Sequence, residues 1–394
     1  MMDQFIYFGT NWANNSEQIY LLGDAILFLI FLLGVLYITI FAVSSLKKRK
    51  ATYPTAKKKY RFAILISAYK ADDTIINTVC SFLMQNYPRD KYDIIVTSDQ
   101  MSEETNSNLI EKSAYVIKVN ESNSSKTKAL QTAVNYIKQN ELMYDIVVVL
   151  DANNLVDIDF LEKINDAFYS GCSVVQTHRI AQNKDTSIEL LDAVSEEINN
   201  SIFRKGHTQL GFSAALTGSG MAIEYDLFED LISQAKYSDL DKQFEKSLLK
   251  QNIYIEYLEY VYVYDEKVKG KIGFYNQRRR WLASQFSNLF SGISHLLPAI
   301  LKGNWDYCDK LFQWMMPPRI ILFGFIFLFA CIFTYANWIL SIKWWGLLLL
   351  LCIAFSIAVP DYLVDKKFRK ALLILPILFI LMLFNFSRLK GSKK

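Results

Sequence analysis

A chain of 394 residues that is 52% hydrophobic, with a mean hydropathy of +0.13, has room for two or three domains and is too apolar for an ordinary soluble protein, so membrane helices are expected. A net charge of +4 is too small to indicate nucleic acid, and the basic residues stand beside apolar runs instead, as in Lys47, Lys48, Arg49 and Lys50 and from Lys57 to Arg61. The five cysteines form no CxxC pair and the three histidines share no helical spacing with them, which argues against zinc and fits a reduced, cytosol-facing domain.

Residues 1 to 19 carry no basic segment ahead of the first apolar stretch, so a cleaved signal peptide is not expected. Ala25 to Leu46 gives 22 uncharged residues, enough to span a bilayer. The basic cluster Lys47 to Lys50 follows at once, and the positive-inside rule places that end in the cytoplasm with Met1 outside.

From Arg61 to about Tyr264 short apolar runs alternate with amphipathic helices, the pattern of an α/β domain. Strands are expected at Phe62–Ser67, Tyr92–Thr97, Ala114–Val119, Ile146–Leu150 and Ser173–Thr177, and helices at Asp73–Gln85 and Ser125–Gln139. The first strands end in polar turns, Ala68-Tyr69-Lys70 and Ser98-Asp99-Gln100, and such turns gather in one crevice at the carboxyl edge of a parallel sheet. Ile146 to Asn154 (IVVVLDANN) delivers Asp151 and Asn153 to that edge. Two oxygen-bearing side chains so spaced can share a Mg2+ or Mn2+ that carries a diphosphate; a strand ending in an Asx turn is the plain structural alternative.

Lys126, Thr127 and Lys128 open a helix, and a helix N-terminus with lysines beside it attracts phosphate, although a basic surface turn would read the same way. Thr217 to Met221 (TGSGM) is a glycine-bearing turn that could let backbone approach a ligand or be simple turn chemistry. Asp241 lies near the start of an amphipathic helix, where a cap is the alternative to a chemical role. Tyr260 to Tyr264 alternates as a strand does, and Gln277-Arg278-Arg279-Arg280-Trp281 opens an aromatic segment suited to the membrane interface, or to holding a diphosphate and stacking on a sugar.

Three further apolar runs follow: Ile320–Ile342, Trp344–Pro360 and Ala371–Ser387. The last two are at the lower limit for a span, and one of them is expected to be re-entrant or interfacial if the tail Arg388–Lys394 is to obey the charge rule.

Together these pieces resemble a membrane-integrated family 2 glycosyltransferase, the group of the cellulose, chitin and hyaluronan synthases. The family's ILIPAYNE-like strand end matches ILISAYKAD, its base-contacting Asp matches Asp99, and its KGxAL-type lysine matches Lys126 with Ala129 and Leu130 in register. The DxD motif falls on Asp151-Ala152-Asn153, TED on Leu240-Asp241, and QxxRW on Gln277, Arg280 and Trp281. Asn153 removes one acid from the metal site, and Leu240 replaces the Glu of TED while the Asp is kept.

The resemblance implies an α/β GT-A (Rossmann-like) cytosolic domain with transmembrane and interfacial helices, in an inner membrane, inverting the anomeric carbon of a UDP-sugar. Residues 1–50 would hold the first membrane helix, 51–275 the transferase domain, 276–316 the interfacial helices and 317–394 the remaining membrane helices. Asp241 would be the base. Ala68, Tyr69, Asp99, Lys126, Asp151, Gln277 and Arg280 would bind the donor; Gly218, Ser219, Gly220 and Trp281 would bound the acceptor; Asp151 and Asn153 would hold Mg2+ or Mn2+. A polysaccharide product is expected slightly ahead of single transfer to a lipid carrier or lipid-linked glycan, with nucleotide binding without turnover as the third reading.

Overall fold

The computed structural model describes residues 2–48, 53–119, 125–236, 240–267 and 270–387; Arg49, Lys50 and the tail 388–394 lie outside the described residues. Four strands, β1 (Phe62–Tyr69), β2 (Tyr92–Asp99), β3 (Tyr115–Lys118) and β4 (Ile146–Asp151), run parallel in the order 3-2-1-4. The sheet continues through β7 (Met221–Glu224), β6 (Val174–Ala181), β8 (Glu256–Asp265) and β5 (Asn154–Val156). In that half β7 is antiparallel to both β4 and β6, β8 runs parallel to β6, and β5 is antiparallel to β8.

Helices cover both faces, so the central strands are apolar throughout instead of alternating. Phe62, Ile64 and Ile66 pack with Ile75, Val79, Phe82, Phe160 and Ile164 on one side. Ala63 and Leu65 pack with Leu130, Ala133, Val134, Ile137 and Phe228 on the other. β1 and β2 run two residues past their expected ends because pairing reaches Tyr69 with Asp99, whereas β3 is shorter at both ends than the expected Ala114–Val119. β6 reaches Ala181 by pairing with β8, across a register shift between Thr177 and His178. The helix expected at Asp73–Gln85 is shorter, Ile75–Leu83, and Ser125 caps its later counterpart Lys126–Gln139 by accepting from Lys128 N at 3.3 Å.

Among the described residues three helical stretches are long and apolar enough to cross a membrane: Gln18–Ser45, Arg319–Ala336 and Trp338–Ala358. Lys366–Leu372 and Leu375–Asn385 form a pair bent by 47° that passes the same test only jointly. The break expected at Lys343 falls at Asn337, whose extended backbone ends one helix and whose side chain accepts from Leu340 N at 3.3 Å to start the next. Lys343 is thereby drawn inside a helix, where it pairs with buried Asp24, which also accepts from Trp344 Nε1 at 3.0 Å.

The long N-terminal apolar helix is locked to the α/β unit. Val35, Ile38 and Phe41 pack on Leu191, Val194, Ile198 and Ile202, and Ser44 Oγ donates to the Gly206 carbonyl at 2.9 Å. A Cβ at position 206 would lie 2.2 Å from the Phe41 carbonyl oxygen, so only glycine permits this approach.

Candidate active site

Parallel register brings the ends of β1, β2 and β4 to one edge: Tyr69 pairs with Asp99, and Ser67 with Asp151. They open onto a cavity of 3670 Å³, lined there by Ala68, Tyr69, Asp99, Lys126 and Asp151. Asp99 is buried, so its carboxylate is held in place before any ligand arrives. Lys126, first residue of a capped helix, puts its ammonium against the Asp151 carboxylate and the Gly218 carbonyl.

Asp151 is positioned from behind by Asn154, which is fully buried. Asn154 Oδ1 accepts from Asp151 N at 3.0 Å and from Ser219 Oγ, and its Nδ2 donates to Asp265 Oδ1 at 3.1 Å. Asp265 in turn accepts from Arg179 at 2.7 Å. Burial opposes the Arg179 charge, but Asp265, Glu196 and Asp151 outweigh it and hold its pKa above the ordinary arginine value.

Two of the expected groups lie wholly or partly away from the cavity surface. Asn153 is not among the residues lining the cavity: its Nδ2 donates to the Glu266 carbonyl at 3.2 Å and its Oδ1 accepts from Asn154 at 3.3 Å. Of the TGSGM turn, Thr217 and Gly218 line the cavity, whereas Ser219 and Gly220 are buried behind it. Gly220 has φ +69°, and a Cβ there would meet Thr177 Oγ1 at 2.6 Å, so its role is to let β6 and β7 meet.

Two helices add further lining residues. Asp241 lies in the first turn of Leu240–Lys250, with Lys242 Nζ 3.5 Å from its carboxylate, and both line the cavity. Gln277, Arg280 and Trp281 stand at i, i+3 and i+4 of the helix Lys271–Gly292 and line it from one face. Gln277 Oε1 is buried without a protein partner. Arg278 reaches Asp192 and is flanked by the Phe274 and Trp281 rings at 4.8 and 4.6 Å. The cavity therefore gathers every sequence-predicted site residue except Asn153, Ser219 and Gly220.

Sequence reasoning missed Arg179, Glu196, Arg204 and Arg319, which also line it, as does Arg278 of the basic run. Arg204 is buried because a π-helical stretch, Asn199–Gly206, turns it inward onto Glu196 at 2.9 Å. Nothing in the local pattern distinguishes these from solvated charges. The cavity then continues between the apolar C-terminal helices, lined by Phe323, Phe327, Leu348, Cys352, Phe355 and Phe379.

No group of three His, Cys, Asp or Glu side chains able to hold a metal occurs among the described residues. Asp151 still suits Mg2+ or Mn2+ of the kind that takes one carboxylate from protein and the rest of its shell from phosphate and water. Chemically, the cavity offers the Lys126 ammonium beside Asp151 for a diphosphate, and a further carboxylate, Asp241, in its lining.

No curated protein matches the chain significantly. Among solved structures, the fold resembles the mannosyltransferase PcManGT from Pyrobaculum calidifontis in complex with GDP-Man and Mn2+, with a TM-score of 0.53, 16% identity, and coverage of 87% of this chain and 99% of that one. S. aureus TarS 1–349 gives a TM-score of 0.43 and 15% identity over 84% of this chain and 90% of that one. A family model described as "Glycosyltransferase like family 2" matches residues 60–284, more than half the chain. The protein thus belongs to glycosyltransferase family 2, with a GT-A-like α/β fold joined to helices apolar enough to span a membrane.

Proposed function

We propose that this protein transfers a sugar from a nucleotide-sugar donor, a UDP-sugar by its resemblance, to an acceptor carried on a membrane lipid. The observation that supports this most is the continuity of one cavity from Asp99, Asp151 and Asp241 to the aromatic and aliphatic crevice of Phe323, Phe327, Leu348, Phe355 and Phe379. Such a lining suits a lipid tail and offers a passing polysaccharide few hydrogen bonds. The transferase domain would face the cytosol, on the side of the basic cluster after the first membrane helix.

In this reading Asp99 holds the nucleoside, and Lys126, Arg280 and Gln277 hold the diphosphate at Asp151. A bound Mg2+ or Mn2+ would supply further charge neutralisation there. Asp241 takes the proton of the acceptor hydroxyl, whose oxygen attacks the anomeric carbon as the C–O bond to the nucleoside diphosphate breaks, inverting the centre. Trp281 offers a face for a sugar ring at the junction with the crevice. Polysaccharide elongation is the second reading, favoured by the Gln277, Arg280 and Trp281 pattern.

The test is to incubate membranes containing the protein with radiolabelled UDP- and GDP-sugars and partition the products between butanol and water. Single-sugar lipid products in butanol support the reading. A ladder of water-soluble oligomers would replace it with elongation, and hydrolysis or binding alone would remove both.

A further inference from the structure

Arg179, Arg204 and Arg278 line the cavity and each holds a carboxylate: Asp265 at 2.7 Å, Glu196 at 2.9 Å and Asp192. Arg319 lines it too and forms no ion pair among the described residues. Its Nη2 donates to the carbonyl and hydroxyl oxygens of Ser195, both at 3.1 Å. Its Nη1 is buried and has no hydrogen-bond partner. The guanidinium lies 5.7 Å from the Phe203 ring centre; burial and the charge of Arg278 work against its own charge, Glu196 favours it, and Arg204 opposes it more weakly.

A buried cationic N–H without a partner is costly, and an anion reaching Nη1 would supply the missing acceptor. The place fixes what kind. Arg319 is the first residue of an apolar helix after Pro317 and Pro318; in the lipid-acceptor reading this places it at the depth of lipid head groups, with the helix N-terminus adding positive potential. Ile320, Phe323 and Phe327 of the same helix line the cavity below it. An anion here has polar donors on one side and an apolar channel on the other.

We propose that Arg319, with the N-terminus of its helix, binds the phosphate of the lipid-carried acceptor. This rests on the lipid-acceptor reading and adds the chemical class of the head group: a phosphate or diphosphate ester of a long-chain alcohol. The donor's diphosphate belongs to the Asp151 edge and is not the ligand of Arg319.

The test uses the purified full chain in detergent, tryptophan fluorescence, and four probes: farnesyl phosphate, farnesol, inorganic phosphate and UDP. Wild type should bind farnesyl phosphate about 10-fold or more tightly than farnesol, and inorganic phosphate far more weakly than either lipid. Arg319→Gln keeps an N–H for Ser195 and should erase the preference for farnesyl phosphate while farnesol and UDP bind as before. Arg319→Lys should retain part of it, and carries the test alone if thermal unfolding shows the Gln variant misfolded. A preference unchanged in both variants overturns the proposal, as does inorganic phosphate binding as tightly as farnesyl phosphate. Loss of UDP binding in Arg319→Gln, restored in Arg319→Lys, would give the residue to the donor. If wild type holds UDP but neither lipid, the lipid-acceptor reading itself fails.

Discussion

The ammonium of Lys126 sits on the carboxylate of Asp151, the single acid at the end of β4 that faces the cavity. A divalent cation using Asp151 must compete with that ammonium unless a diphosphate draws the lysine away. Mn2+ should therefore bind weakly alone and about 10-fold or more tightly with UDP, as followed by electron paramagnetic resonance. Lys126→Met should narrow the difference by strengthening binding without nucleotide. Tight Mn2+ binding to wild type without UDP would contradict this arrangement.

Asn153→Asp tests the placement of the Asn153 side chain away from the cavity. The substitution removes the donor to the Glu266 carbonyl and sets a carboxylate against it, which should cost about 1–2 kcal/mol in thermal unfolding. Mn2+ affinity should stay within about 3-fold. A tenfold tightening at unchanged stability would mean that the side chain turns into the cavity after all.

Glu196 makes the acid stability of the cavity floor measurable. Burial raises its pKa, but Arg204, Lys267 and Arg179 outweigh burial and hold it well below the usual carboxylate range. Its folded pKa is below its unfolded one, so its contribution is complete above the unfolded value of about 4.3 and is lost as pH falls through the folded value. Glu196→Gln should cost about 3–5 kcal/mol near neutrality, by leaving Arg204 and Lys267 short of counter-charge, and should make stability less steep below about pH 4.3. An equally steep acid profile in the variant would assign the effect to other groups.

At the junction with the N-terminal apolar helix, Gly206→Ala would place a Cβ against the Phe41 carbonyl, which is backbone and cannot rotate away. A loss of about 1–3 kcal/mol is expected, read as a lower unfolding temperature in detergent. An unchanged temperature would show that the helix docks less closely.

The strands β1, β2 and β4 were legible because strands buried on both faces are written as unbroken apolar runs, and those runs deliver Asp99 and Asp151 directly. β7 was not: four residues following a glycine turn carry no period to read. Lys343 reads as a gap between membrane helices because one charge interrupts an apolar run, yet its partner Asp24 lies 319 positions away and absorbs it. Arg319 failed for the converse reason, since an arginine at the edge of an apolar run looks like an interface anchor until its unpartnered Nη1 is seen. Asn153 shows the limit of motif spacing: alternate residues after a strand share a ligand only if the turn points both inward, and Asn154 with Glu266 turns this one away.

The most direct test of the account is sugar transfer by Asp241→Asn. Asn serves nearly as well near a helix N-terminus, so the fold should hold, and UDP binding, which the account assigns to Asp99, Lys126, Asp151 and Arg280, should persist. Asn cannot accept the acceptor's proton. Transfer should fall by about two to four orders of magnitude with UDP affinity unchanged. Transfer within a few-fold of wild type would contradict the account, leaving Asp241 a helix-terminal residue and the base to be sought elsewhere on the cavity wall.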